Sequence, residues 1–154
     1  MRLLYISTHN VSRSIIAESV TRRLGEPRFK VMSCGTDPQE DINPVAHRML
    51  KQFRYISTNL VSKSWDRFSN WQPDIVITLS NEVLRKPGPA YLKTALHIHW
   101  PLPDPITQEG NMEQNFTDLI NIFEKRIKIV LDQDIENMDK TQLRTLFKKA
   151  ADDQ

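Results

Sequence analysis

Four short apolar runs alternate along the chain with stretches of helical periodicity, and that alternation limits the fold more than any other feature. The runs are RLLYIS (2–7), FKVMS (29–33), DIVITL (74–79) and ALHIHW (95–100). Each is apolar or β-branched and bounded by turn chemistry, which predicts four strands. Between the first two, Ile16, Ala17, Val20 and Leu24 recur at helical spacing over 13–24. Asn43-Pro44 places an N-cap before a proline at the first helical position, and Val45, Met49, Leu50 and Phe53 then share one face. The longest helix is predicted over 112–131. Asn111 caps it, Glu113 suits its first turn, and Phe116, Leu119, Ile120, Phe123, Ile127, Val130 and Leu131 form its apolar stripe.

Strand–helix alternation of this kind predicts an α/β fold. A four-stranded parallel sheet, joined by right-handed crossovers, forms the centre of a three-layer α/β/α arrangement. An extra helix is expected over 138–150, which divides the chain into a domain at 1–132 and a C-terminal extension at 133–154. In open parallel sheets ligands bind beyond the carboxyl ends of the strands. The loop at 7–13 lies at one such end and Asp104 shortly after another. About ninety residues apart in sequence, the two can meet in space.

A chain of 154 residues suits one core. Its net charge of +2 does not indicate nucleic acid, and no apolar run reaches the length of a membrane span. The N-terminus begins directly with a strand-like run, with no signal-peptide pattern, so a cytoplasmic location is expected. Cys34 is the single cysteine, which rules out an intrachain disulfide and a cysteine-based zinc site. No cofactor is implied.

The stretch YISTHNVSRS (5–14) carries most of the functional signal. A strand that runs through a small-residue loop into a helix N-terminus forms an anion cradle, because the orphan amides and the helix dipole both favour a tetrahedral oxyanion. Thr8, His9, Asn10, Val11 and Ser12 would line it. Arg13 adds a planar fork for two oxygens of phosphate or arsenate, while Asn10 and Ser14 can hold the loop by side-chain bonds. The same residue types also cap ordinary helices, so spacing alone leaves a plain strand-to-helix turn open.

YISTHNVSRSIIAES resembles the phosphate-binding loop of the low-molecular-weight tyrosine phosphatase superfamily, whose motif is a cysteine, five residues, then Arg-Ser opening a helix. The thioredoxin-coupled arsenate reductases are the closer branch. SCGTDP (33–38) and INPVA (42–46) are similar to their SAGT-x-P and N-P-x-A segments, and HWPLPDP (99–105) is similar to their His-Trp-x-x-x-Asp-Pro segment. The resemblance covers about residues 2–132. It implies that fold, a phosphate-, arsenate- or sulfate-like oxyanion as ligand, and a phosphorylated protein as a partner. It also implies roles: Arg13 as oxyanion-binding arginine, Ser14 as the hydroxyl stabilising the nucleophile, Asn10 as loop-shaping residue and Asp104 as general acid.

Ser7 stands where the family has its nucleophilic cysteine. A thiol starts near pKa ~8.5 and an electropositive loop lowers it further, whereas an alkyl hydroxyl is not ionised by the same field and needs an adjacent base. His9 is the nearest candidate, and two residues along a tight loop its ring is expected to point outward. The family's relay cysteines fall at Ser12, Ser80 and near Pro87, so the thiol–disulfide relay of arsenate reduction is excluded. Cys34 replaces a small family alanine and is expected to pack as one. His9 also stands where the family prefers glycine.

The sequence therefore predicts an oxyanion-binding domain of this superfamily, catalytically silent because Ser7 replaces the thiol: a natural pseudoenzyme. One alternative is an active phosphotyrosine or phosphoester phosphatase in which Ser7 is a laboratory substitution. Another is a structural or partner-docking subunit, or a homodimer, acting through 138–150. There Leu143, Leu146, Phe147 and Ala150 share one face opposite Lys140, Arg144, Lys148 and Lys149. That helix packing onto its own domain is the plainer expectation. Asp104 before Pro105 also suits a simple turn. His47, His97 and His99 lack a third metal ligand at recognisable spacing and are expected to be structural. Trp65, Phe68 and Trp71 are expected in the core, an aromatic wall near the loop being the alternative.

Overall fold

The computed structural model describes residues 1–152. β1 (Arg2–Ser7), β2 (Lys30–Gly35), β3 (Ile75–Thr78) and β4 (Leu96–His99) form one parallel sheet in the order β2-β1-β3-β4. The helices are α1 (Arg13–Gly25), α2 (Pro44–Gln52), α3 (Met112–Leu131) and α4 (Lys140–Asp152). This is the α/β fold that the strand–helix alternation predicts. β2 reaches two residues past the predicted run because its pairing with β1 continues to Ser7↔Gly35.

Side-chain alternation along the strands sorts the core into two layers. Leu3, Tyr5, Val31, Ile75, Ile77 and Ile98 face the α-helices and share one cluster with Ile16, Val20, Phe116, Phe123 and Phe147. Leu4, Ile6, Cys34 and Val76 face the other side and meet Trp65, Phe68, Val83 and Leu92. Those partners come from three 3-10 turns, Trp65–Phe68, Asn81–Arg85 and Ala90–Thr94, so the layer opposite the α-helices is thin. Trp65 and Phe68 are buried there, as core residues, and do not wall the loop at 7–13.

Local signals explain the helix starts. Asn43 Oδ1 accepts from the amides of Val45 and Ala46, and Pro44 occupies the first helical position. Asn111 Oδ1 accepts from the amide of Gln114 at 3.0 Å, and α3 then runs the predicted 112–131. α4 turns its apolar face inward: Phe147 and Ala150 are fully buried, and Phe147 packs on Trp100 with ring centroids 5.6 Å apart. Burying one side chain of this kind stabilises by about 1.5–3 kcal/mol. The stripe at 138–150 thus packs into the domain's own core. No helix among the described residues is long and apolar enough to cross a membrane.

The strand order has one consequence for function. After β1 the chain moves outward to β2, then returns to the other side of β1 for β3, so the connections diverge between β1 and β3. A crevice opens at the carboxyl ends of strands at such a switch point.

Candidate functional site

β1 ends at Ser7, which is 3% exposed, and the chain then makes a tight loop before α1 begins at Arg13. The carbonyls of Ser7, Thr8, His9 and Val11 accept from the amides of Thr36, Asp37, Gln39 and Asn43, which turns those oxygens away from the loop's centre. Among the described residues, the amides of Thr8, His9, Val11 and Ser12 donate to no acceptor. Together with the orphan amides of α1, they form a concave set of donors. Gly35 permits this close approach, since a Cβ there would lie 2.7 Å from the Thr8 carbonyl oxygen.

Asn10 holds the loop from inside. Its φ of 53° is left-handed, a conformation that Asn tolerates better than most residues, and its side chain is fully buried. Its Nδ2 donates to Ser14 Oγ at 2.7 Å and to Ser33 Oγ at 2.9 Å, and its Oδ1 accepts from the Lys63 amide at 2.8 Å. Ser33 donates onward to the buried Glu18 carboxylate, which also meets Lys63 Nζ at 3.4 Å and the Arg22 guanidinium at 2.9 Å. Burial pushes the Lys63 ammonium below its ordinary value, while Glu18 pulls it back up. The loop is therefore braced through Asn10 and Ser33 by a buried charge cluster.

Ser7 Oγ sits 2.6 Å from Ser14 Oγ and accepts from the Asn10 amide at 3.2 Å. This donor-rich surrounding would stabilise a thiolate but gives a hydroxyl no route to ionise. His9 Nδ1 lies 3.0 Å from the Asp37 carbonyl oxygen and 4.0 Å from the Asp37 carboxylate, and no hydrogen bond joins its ring to Ser7. Cys34 is buried in the opposite layer, where desolvation raises its thiol far above the usual range. It is an inert packing residue.

Arg13 donates from Nη1 to the Leu102 carbonyl at 3.0 Å and brings Nη2 to 3.9 Å from Asp104 Oδ2. Its Nε is buried and has no hydrogen-bond partner. Asp104 Oδ1 accepts from the Ile106 amide at 3.0 Å, an Asx turn, and from Ser12 Oγ at 3.3 Å, leaving Oδ2 beside Arg13. The turn role and a place at the loop are thus compatible. Thr8, His9, Arg13, Ser80, Asn81 and Asp104 surround a cleft of about 550 Å³. Ser80 hydrogen-bonds Thr8 at 3.0 Å, and Asn81 Oδ1 accepts from His99, whose Nδ1 meets Thr78 Oγ1 at 2.7 Å. His97 Nε2 donates to the Leu92 carbonyl. Both histidines are held by hydrogen bonds within the chain, His97 from the exposed side of β4.

The sequence profile of the low molecular weight phosphotyrosine protein phosphatase family matches residues 2–143. The chain belongs to that family. An arsenate reductase in its phosphate-binding state is similar at 21% identity, covering 85% of this chain and 96% of its own, with a TM-score of 0.70. The YwlE arginine phosphatase of Geobacillus stearothermophilus is 16% identical, covers 90% and 97%, and has a TM-score of 0.67. A Cys-to-Ser variant of the YwlE arginine phosphatase with a phosphorylated active-site serine is 19% identical, covers 88% and 99%, and has a TM-score of 0.64. These likenesses are of fold. No relative was found among curated protein sequences.

The residues sequence reasoning missed are Ser33, Glu18 and Lys63, which touch the loop only through Asn10, and Leu102, whose backbone oxygen aims Arg13. Glu18 carried a signal, since a carboxylate interrupts the apolar run IIAESV.

Proposed function

We propose that this chain binds phosphate-type oxyanions in the loop from Ser7 to Ser14 and does not turn over as a thiol phosphatase or an arsenate reductase. One observation carries the reading: Arg13 Nε is buried without a partner beside a loop whose amides lack acceptors. A buried unpaired donor costs about 1–3 kcal/mol, and a tetrahedral anion removes that cost for Arg13 and several amides at once. Ser14 and Asn10 keep the loop in shape, and Asp104, which lines the same cleft, is the candidate general acid. Turnover is absent because a hydroxyl needs an adjacent base, and the hydrogen-bond partners of Ser7 are the Ser14 hydroxyl and the Asn10 amide. Titration of the chain with inorganic phosphate by calorimetry tests this. Binding that Arg13→Ala weakens at least tenfold supports the reading, and no binding by the folded chain overturns it.

A second reading has one observation in its favour. The Cys-to-Ser YwlE variant carries phosphate on its serine, so a hydroxyl in this loop is a competent acceptor there. Ser7 would act once: its Oγ–P bond forms as the donor's P–N or P–O bond breaks, and the serine proton passes to the leaving atom by way of Asp104. Without a thiolate-like leaving group the phosphoserine persists. Intact-mass spectrometry after incubation with phosphoarginine detects one added phosphoryl group if this holds. An unchanged mass rejects it.

A further inference from the structure

A second cleft lies on the thin side of the sheet, separated from the first by a single 3-10 turn. It encloses about 260 Å³ between Trp65, Val76, Val83 and Leu92, with the exposed Lys86 and Lys93 at its wall. No carboxylate lines it, and neither lysine makes an ion pair among the described residues. Leu84 contributes to the wall while remaining 60% exposed, one of three large apolar side chains left so open among the described residues.

The two clefts share their dividing wall. In the turn Asn81–Arg85, Asn81 and Glu82 line the oxyanion cleft, whereas Val83 and Leu84 line the apolar one. Thr78, on the floor of the apolar cleft, holds His99, and His99 holds Asn81. The wall is thereby fixed to the sheet. Clefts for small-molecule ligands run to about 300–1,000 Å³, so this one suits a single large side chain better than a separate ligand. Five residues of 3-10 helix rise about 10 Å, which an extended chain crosses in about three residues.

We propose that the apolar cleft is a docking site for a phosphorylated partner protein. An extended segment of that partner lays its phosphoryl group in the Ser7–Ser14 loop and crosses the turn Asn81–Arg85. About three residues away it inserts a leucine- or phenylalanine-sized side chain beside Trp65 and Leu84, and adjoining acidic side chains meet Lys86 and Lys93. The proposal rests on the oxyanion-binding reading and extends it from an anion to a protein segment. Charge complementarity selects an acidic partner, because the cleft offers cations with no carboxylate to satisfy them. Nucleic acid fits less well: base stacking needs open aromatic faces, and Trp65, the one tryptophan that lines this cleft, is 9% exposed.

The test uses four probes on the full chain: inorganic phosphate, a fluorescent phosphotyrosine peptide with leucine three residues to either side followed by two glutamates, the same peptide with serine at those anchor positions, and a fluorescent single-stranded oligonucleotide. Binding is read by calorimetry for phosphate and by anisotropy for the peptides, with the chain and a Lys86→Ala/Lys93→Ala double variant. The anchored peptide is expected to bind at least tenfold more tightly than the serine peptide. The double variant should bind the anchored peptide about fivefold or more weakly than the chain does, with phosphate affinity unchanged, and raised salt should weaken that peptide's binding. Equal affinity for the two peptides, with phosphate still bound, overturns the docking site alone. Failure of phosphate itself to bind overturns the underlying reading and the docking site with it. Tighter binding of a single-stranded oligonucleotide than of the anchored peptide assigns the lysines to nucleic acid and rejects the proposal.

Discussion

Replacing Asn10 by alanine should be among the most damaging single changes in the molecule, although no apolar contact is lost. Its side chain makes three hydrogen bonds, to Ser14, Ser33 and the Lys63 amide, in a position with no exposure to solvent. At about 1 kcal/mol net for each bond, these amount to roughly 3 kcal/mol. Alanine at φ 53° adds about 1–2 kcal/mol of left-handed strain. The sum, about 4–5 kcal/mol, is a large part of the roughly 5–15 kcal/mol that stabilises a typical domain. Glycine at the same place loses the bonds but not the backbone comfort. Its looser unfolded chain returns about 0.4–1 kcal/mol, so Asn10→Gly should be milder than Asn10→Ala by roughly 1 kcal/mol. Urea unfolding followed by tryptophan fluorescence measures both, with stability read at constant m. If Asn10→Ala costs less than about 1 kcal/mol, or Asn10→Gly proves the worse of the two, the buried network does not hold the loop as described.

Glu18→Ala should destabilise by about 3–5 kcal/mol in the same assay, because it strands Lys63 in the core beside Ser33. Phe147→Ala should cost about 3–5 kcal/mol and shift the emission of Trp100, on which it packs, whereas Lys149→Ala on the exposed side of α4 should change little. Cys34 gives a pH signature. Its folded pKa is raised by burial, so above the ordinary thiol value of 9.0 the unfolded chain has lost a proton that the folded chain keeps, and stability falls as pH rises. Cys34→Ala should remove that part of the alkaline loss, seen as a shallower decline in melting temperature above pH 9.0.

The parts of the site that were legible in the sequence are those whose chemistry is local. Asn43-Pro44 and Asn111 announce helix starts through their own side chains, and both helices begin there. The loop at 7–14 is a strand end and a helix start joined by small residues, which puts Arg13 at the helix start, and the family resemblance implies its part in the oxyanion site. His9 meets Asp37 rather than Ser7, in keeping with the shortness of the loop. What was not legible depends on pairings across long separations. Lys63 looks like a surface lysine in the segment VSKS, and only the fold brings it to Glu18, 45 residues earlier. Leu102 aims Arg13 with a backbone oxygen, a role that carries no side-chain signature. The thin second layer was hidden for a related reason. Three short 3-10 turns bury Trp65, Val83 and Leu92 without a sustained helical period, so the pattern that marks α1 and α3 is missing there.

The central claim is that the loop, Arg13 and Asp104 remain assembled around an oxyanion and that Ser7 alone withholds turnover. Hydrolysis of an aryl phosphate by the chain and by Ser7→Cys, measured side by side at neutral pH, tests it most directly. The claim predicts an inert chain and an active variant, since Ser14 Oγ at 2.6 Å and the Asn10 amide at 3.2 Å already surround the position a thiolate would take. Steady hydrolysis by the chain itself, or an inert Ser7→Cys variant that still folds and binds phosphate, would contradict it.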